Sequence, residues 1–513
     1  MHSQQRTDPA RRLSPAQRRL VLAAIFLLAA FLRLGGLRWD AACVEVSDGS
    51  GQVCAETHLH PDERFLTMVA TSADLPASVS EYFDSARSPL NPHNRGHSFF
   101  AYGLFPVTTT KVVARAIGLD GYDQIHLVGR VIAAFCGLAT LLLLFVIARR
   151  LYDETVAMWA ALLLALAVQP IQQAHFFTVD TMLTTAVWAA LLFATDIERR
   201  GAWRDYALFG VALGAAVAIK VSVATLAIVG AVAALASRHR HASGVTAQRP
   251  GRVVGGLCVA ALASLAVFRV LQPYAFSGPG LLGLELNPQW LANMREIGEL
   301  VSGRRDFPPN HQWAGRTPLW FPWTSMVTVG MGPALGLAAW LGWVWAGVRL
   351  ARRRGRHHLL PWLWVAILFA HLGTRFTPIL RYMLPIYPAL ALFAAWLLVA
   401  VWRRARRSGS TAAKVLAGAL VGTVAAGTLA WAWAFTAIYR RPHSRVEASR
   451  WIYAHVPPGS SIAHETWDDA LPLPLDGRAG MGEYVGLPLH PYAEDSPRKL
   501  EELIESLDRA DYL

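Results

Sequence analysis

Two adjacent carboxylates follow a histidine and a proline at His60-Pro61-Asp62-Glu63, inside the stretch Leu59 to Phe65. A carboxylate can accept the proton of a hydroxyl, and a nearby imidazole can relay a proton or bind a sugar. Held beside a membrane, such groups are costly, and costly ionisable groups usually have a chemical purpose. A structural reading is equally simple. Pro61 starts a helix, and Asp62 and Glu63 fill its first turn, where negative charge suits the helix dipole. Which reading holds depends on whether the rest of the chain brings complementary groups to the same place.

The chain has 513 residues, 54% hydrophobic and 16% charged, and its mean hydropathy is positive. That is a membrane composition, and apolar runs near the roughly 20 residues needed to cross a bilayer recur along it. The formal net charge of +13 would suit nucleic acid. However, Lys and Arg stand in short clusters at the ends of apolar runs, as topology signals do. No nucleic-acid partner is expected.

Residues 1–19 form a polar cytoplasmic tail with Arg6, Arg11, Arg12, Arg18 and Arg19. The first span, Leu20 to Leu37, stays uncleaved, since no small-residue cleavage site follows it. Arg33, near its outer end, either snorkels to the interface or faces the protein interior. Residues 38–125 are a long outer segment. Within it Phe99 to Gly118 is apolar, yet a crossing there would invert every later charge cluster. It is expected to lie at the interface, with Lys111 and Arg115 near headgroups. Further spans are expected at 127–148, 156–171, 179–195, 253–271, 326–350, 359–373, 380–402 and 415–437. The run Tyr206 to Ala236 is too long for one span and has Lys220 at its middle, so it folds back there as two short spans. The outcome is an all-α polytopic membrane protein with eleven crossings, the N-terminus cytoplasmic and the C-terminus extracytoplasmic.

The transmembrane domain is thus 20–437, and 438–513 is a small α/β extension on the outer side. In that extension Ser444 to His455 reads as a helix, Ser460 to His464 as a strand and Pro497 to Arg509 as a second helix. It stops at Asp511-Tyr512-Leu513, where another strand should begin, as in a truncated chain or a very small domain. Cys136 and Cys258 fall in spans and are packing residues. Cys43 and Cys54 flank a Gly/Ser-containing turn on the oxidising side, where a hairpin disulfide can form. Neither spacing supplies a second Cys/His pair for zinc.

On this topology ionisable residues converge on one membrane face. Asp62 and Glu63 come from the first outer loop, and Asp180 from the outer start of the fourth span, with His175 just before it. Lys220 marks the outer turn, and Arg375 and Arg381 flank the outer start of the tenth span. Each has a bland role, Asp180 as an N-cap and Lys220 and Arg381 as snorkelling side chains. Together they make an acidic and a basic group at one surface, which suits a lipid phosphate and a hydroxyl to be activated. The 19 tryptophans mostly lie near span ends and are interfacial anchors.

These residues resemble the GT-C fold of integral-membrane glycosyltransferases, specifically glycosyltransferase family 39 and its bacterial dolichyl-phosphate-mannose and aminoarabinose transferase relatives. The resemblance rests on His60-Pro61-Asp62-Glu63-Arg64-Phe65, on Tyr82-Phe83 through Ser88-Pro89-Leu90-Asn91-Pro92, and on His175 to Asp180. It continues through the Lys220 turn, Gln272-Pro273-Tyr274, Arg381-Tyr382 to Pro388, and Trp451-Ile452 through Glu465-Thr466-Trp467-Asp468-Asp469. It implies transfer from a polyprenyl-phosphate-linked sugar to a hydroxyl acceptor on the extracytoplasmic side. It makes Asp62 the general base with Glu63 in support and Asp180 the second acid. His60, Arg64, His175, Lys220, Arg381 and Tyr382 then contact substrate. A lipid phosphate is already a fair leaving group, so no cofactor is required, although a carboxylate-bound divalent ion stays an open alternative. The lack of a glycine-rich phosphate loop argues against a nucleotide-sugar donor. Two rival readings are a lipid-linked-sugar transporter or flippase, which should show repeated halves with broken helices, and a non-catalytic membrane scaffold. No such repeat is visible, and a scaffold has no reason to gather Asp62, Asp180 and Arg381.

Overall fold

Only a helix or a closed barrel satisfies its backbone within lipid. Among the described residues, the computed structural model has six helices long and apolar enough to cross a membrane. The structure describes residues 14–45, 52–242, 250–467 and 469–513. Arg6, Arg11, Arg12, the turn at 46–51 and Asp468 lie outside the described residues.

Helices stand over each expected span: Pro15–Leu34, Tyr122–Leu151, Glu154–Leu166, Asp180–Arg199, Trp203–Ile219, Leu226–Ala242, Pro250–Leu271, Pro333–Ala351, Leu359–Gly373, Tyr387–Arg407 and Thr411–Thr436. Two depart from expectation. The run 156–171 breaks at Ala167, which is extended, before a short helix Val168–Gln173. The buried Arg33 guanidinium donates to the carbonyls of Ala29, Leu164 and Ala165 at 3.1–3.2 Å, capping the last turn of Glu154–Leu166. The run 326–350 starts as a π-turn, Met326–Gly330, and becomes an α-helix only from Pro333.

The apolar run around Lys220 folds back as its length demands. Trp203–Ile219 ends where Lys220 turns extended (φ −156°, ψ 116°), and Leu226–Ala242 begins after a short 3-10 turn. Gly230 lies against the Phe209 ring, and the two positions are nearly equidistant from Lys220, as in a helical hairpin. Trp203–Ile219 also runs parallel to Pro250–Leu271, because Tyr206, Gly210 and Gly214 meet Gly256, Ala260 and Ser264 in register. A Cβ on Gly210 would lie 2.2 Å from the Ala260 carbonyl oxygen. Backbone cannot swing aside as a side chain does, so Gly210→Val is expected to cost about 1–3 kcal/mol. It should lower the unfolding temperature of the purified protein, and an unchanged melt would refute this close approach.

The long segment after the first span holds a two-stranded hairpin, Ala42–Glu45 with Gln52–Ala55, joined by the Cys43–Cys54 disulfide. Helix Pro61–Ser72 follows, capped by His60. Helix Leu104–Ala116 occupies the stretch expected at the interface. Lys111 corrects the headgroup expectation: it turns inward, 4% exposed, and pairs with Asp120 at 3.2 Å, whereas Arg115 stays exposed. Near the C-terminus, helix Ser444–His455, strand Ser461–Glu465 and helix Pro497–Asp508 stand where expected, and a strand not foreseen, Val485–Leu489, pairs parallel with the first. Tyr512 bridges to Ile462 beside the first of these strands. Ala42, Leu59, Val446, Leu473 and Leu475 form a small core that fastens this segment to the first long loop.

Candidate active site

Asp62 and Glu63 are consecutive on a helix, so their side chains leave the axis about 100° apart. That rotation sends them to different partners. Asp62, 30% exposed, accepts from Arg381 on one oxygen and from the Tyr102 hydroxyl on the other. Glu63 is fully buried. It accepts two hydrogen bonds from Arg130 (2.8 and 2.7 Å) and one from the Phe177 N–H (2.8 Å). Arg130 reaches on to Asp40 at 2.8 and 3.1 Å, and all three side chains are removed from solvent.

Asp180 is almost wholly buried and does not cap its helix; Val179 holds that position. Its carboxylate instead takes the Lys220 ammonium at 3.0 Å and has Arg381 Nε at 3.8 Å. Lys220 also sits 3.6 Å from the centroid of the Tyr382 ring, a cation–π contact. Arg381 therefore lies between Asp62 and Asp180, with Lys220 on the far side of Asp180.

Each group is held by its own element. Arg381 and Tyr382 ride on the 3-10 turn Leu380–Ile386, whose Pro385 carbonyl accepts from the buried indoles of Trp188 (3.0 Å) and Trp364 (3.1 Å). Lys220 is delivered by the hairpin turn. Tyr102 precedes Gly103, where a Cβ would lie 2.0 Å from the Ala218 carbonyl oxygen, so only glycine permits this approach. Gly103 N–H donates to Ile219 O (3.0 Å), and Leu104 N–H donates to the Gln272 side chain (2.7 Å). These bonds tie the tyrosine to the end of the Lys220 helix.

The electrostatics follow. Burial would raise the Asp62 carboxyl, but the Arg381 charge and the hydrogen bonds from Arg381 and Tyr102 outweigh it and hold Asp62 far below the usual carboxylate range. Burial and the Asp62 charge push the Tyr102 phenol well up, so it stays a proton donor to Asp62. Burial lowers His60, opposed by Asp62 and Glu63.

Several expected site residues are placed elsewhere. Glu63 belongs to the buried Arg130 cluster and anchors the helix that carries Asp62. Arg64 is taken up by the His58 carbonyl (2.9 Å) and by Asp469, linking the first loop to the C-terminal segment. His175 is fully buried, stacked on Tyr439, with both ring nitrogens 2.9 Å from the carbonyls of Ile171 and Gly35. His60 caps its helix through Nδ1, 3.2 Å from Glu63 N–H, and packs on Phe176. Tyr102 and Arg130 were not foreseen. Only the polar Arg130 inside an apolar run could have signalled itself. Among the described residues no three His, Cys, Asp or Glu side chains group as a metal site.

Residues 123–268 match the family described as dolichyl-phosphate-mannose-protein mannosyltransferase. No curated protein matches the sequence. Among solved structures, the Archaeoglobus fulgidus oligosaccharyltransferase in its apo form is similar at 16% identity and TM-score 0.54, over 89% of this chain and 63% of that one. The same organism's enzyme with an inhibitory peptide and a dolichol-phosphate gives TM-score 0.50 at 14% identity, over 88% and 62%. ArnT from Cupriavidus metallidurans bound to undecaprenyl phosphate gives TM-score 0.49 at 15% identity, over 97% and 90%. This chain spans less than two thirds of the oligosaccharyltransferase. The chain has the GT-C fold of membrane glycosyltransferases.

Proposed function

We propose that the protein is a membrane glycosyltransferase that moves a sugar from a polyprenyl-phosphate carrier to a hydroxyl acceptor on the extracytoplasmic side. The observation that supports this most is the meeting of Asp62, Arg381, Asp180 and Lys220, drawn from four separate elements. The acceptor hydroxyl gives its proton to Asp62 while its oxygen bonds the anomeric carbon. The bond from that carbon to the phosphate oxygen breaks, and its electron pair leaves on the phosphate. Arg381 and Lys220 stabilise the charge that gathers there. Asp180 holds both cations and is a positioning residue.

In the resting protein Asp62 is a weak base because Arg381 holds it. A lipid phosphate beside Arg381 and Lys220 competes for the same guanidinium, so donor binding strengthens the base where it is needed. The pH dependence carries the sign. A depressed carboxyl stays ionised as pH falls, so kcat/KM, which reports the free enzyme, should stay level from pH 7 down to about 4.5. The acid limb of kcat should lie higher than that of kcat/KM. A kcat/KM limb centred between about 5 and 7 would transfer the base role to a histidine such as His60.

The reading as a whole is tested with membranes carrying the protein and polyprenyl-phosphate sugars labelled in the sugar. Label appearing on a hydroxyl-bearing acceptor supports it. Passage of intact lipid-linked sugar between leaflets with no transfer would instead identify a flippase.

A further inference from the structure

The end of the bundle remote from Asp62 holds a second polar site. Helix Tyr387–Arg407 starts beside Arg381 and rises about 25 Å before it reaches Arg404. There a pocket of about 780 Å³ is lined by Trp345, Trp396 and Val399 together with Arg349, Arg404 and Arg407. The carboxylate in its lining, Asp153, is already occupied by Arg403 at 2.6 Å and by the N–H groups of Thr155 and Val156. Among the described residues Arg349, Arg404 and Arg407 form no ion pair. Arg349 Nε and His358 Nε2 are buried without a hydrogen-bond partner. Both flank Gly355, where a Cβ would lie 3.3 and 3.0 Å from them.

Basic residues at helix C-termini suit the dipole and orient a membrane protein, which accounts for exposed arginines such as Arg352 and Arg353. Arg404 and Arg407 are likewise exposed, in the last turn of Tyr387–Arg407. What this does not account for is half-buried Arg349, its Nε unsatisfied and its guanidinium 5.8 Å from the Trp396 ring, in one pocket lining with them. Guanidinium forks match phosphate oxygens, while indoles suit the apolar base of a lipid headgroup. Basic pockets between membrane helices take anionic headgroups for these reasons. We propose that this pocket binds the phosphate of an anionic membrane lipid headgroup.

The full-length protein in detergent would be titrated with phosphatidylglycerol, phosphatidylcholine and inorganic phosphate, with lipid retention read by native mass spectrometry. Phosphatidylglycerol should bind in preference to phosphatidylcholine. Its affinity should fall about fivefold for each arginine removed in Arg404→Gln/Arg407→Gln. Arg352→Gln/Arg353→Gln makes the same charge change outside the pocket and should shift affinity less than about twofold. Should the first pair fail to fold, Arg349→Gln alone is expected to weaken binding about fivefold. Equal losses in the two pairs would reduce the effect to general charge attraction and overturn the site. Inorganic phosphate displacing the lipid at equal concentration would overturn the lipid assignment.

Discussion

Asp62→Asn is expected to lower sugar transfer at least about a hundredfold, the usual contribution of a positioned general base. Asparagine keeps the shape of the side chain, and its oxygen still accepts from Tyr102 or Arg381. It cannot take the acceptor proton. The loss should therefore fall on kcat, while the donor KM stays level or drops, because Arg381 is released from an ion pair that competes with the lipid phosphate. Glu63→Gln makes the informative contrast. The change is one residue away and chemically identical, yet Glu63 lies in the buried Arg130 cluster. Its effect should appear in thermal stability with chemistry largely retained in the folded fraction. A folded Asp62→Asn protein with undiminished transfer would end the base assignment.

Arg130→Gln is expected to destabilise the protein by about 3–5 kcal/mol, the cost of breaking a buried ion pair from one side. Arg130 donates to Glu63, to Asp40 and to the Leu37 carbonyl, and none of the three charged side chains touches solvent. Without it, two carboxylates remain buried with only backbone donors, those of Phe177 and Leu59. The cluster joins the first loop, the Tyr122–Leu151 helix and the segment before Asp180, so its loss loosens the frame around Asp62. Unfolding of the purified protein measures this directly. The triple variant Asp40→Asn/Arg130→Gln/Glu63→Gln removes the unpaired charges together and should recover much of the stability. If Arg130→Gln alone melted like the parent, the cluster would not be what fastens the loop.

Much of the architecture can be read before any coordinates. The length of the 206–236 run and the lysine at its middle require a turn, and the structure turns there. Ser444–His455 and Pro497–Asp508 begin where the sequence reading puts them; Ser496 caps the second ahead of Pro497, whereas the first is capped by His443. The break at Ala167 has a local signal in Pro170, but the capping of the freed carbonyls depends on where Arg33 of another helix delivers its guanidinium. Lys111 was misplaced for the same reason: its partner Asp120 lies beyond the helix end, and hydropathy does not report pairing.

The candidate site divides along the same line. Apolar runs and basic clusters are local properties of the chain, and partition between lipid and water acts on each run separately. That suffices to bring Asp62, Asp180, Lys220 and Arg381 to one end of the bundle, so the sequence alone determined the company they keep. Only the tertiary structure decided which members touch. Side chains on a helix rotate by about 100° per residue, so neighbouring Asp62 and Glu63 point to different partners. The setting of each helix about its axis is chosen by contacts with all the others. Tyr102 reaches Asp62 through such a contact, at Gly103 against the end of a helix more than a hundred positions away.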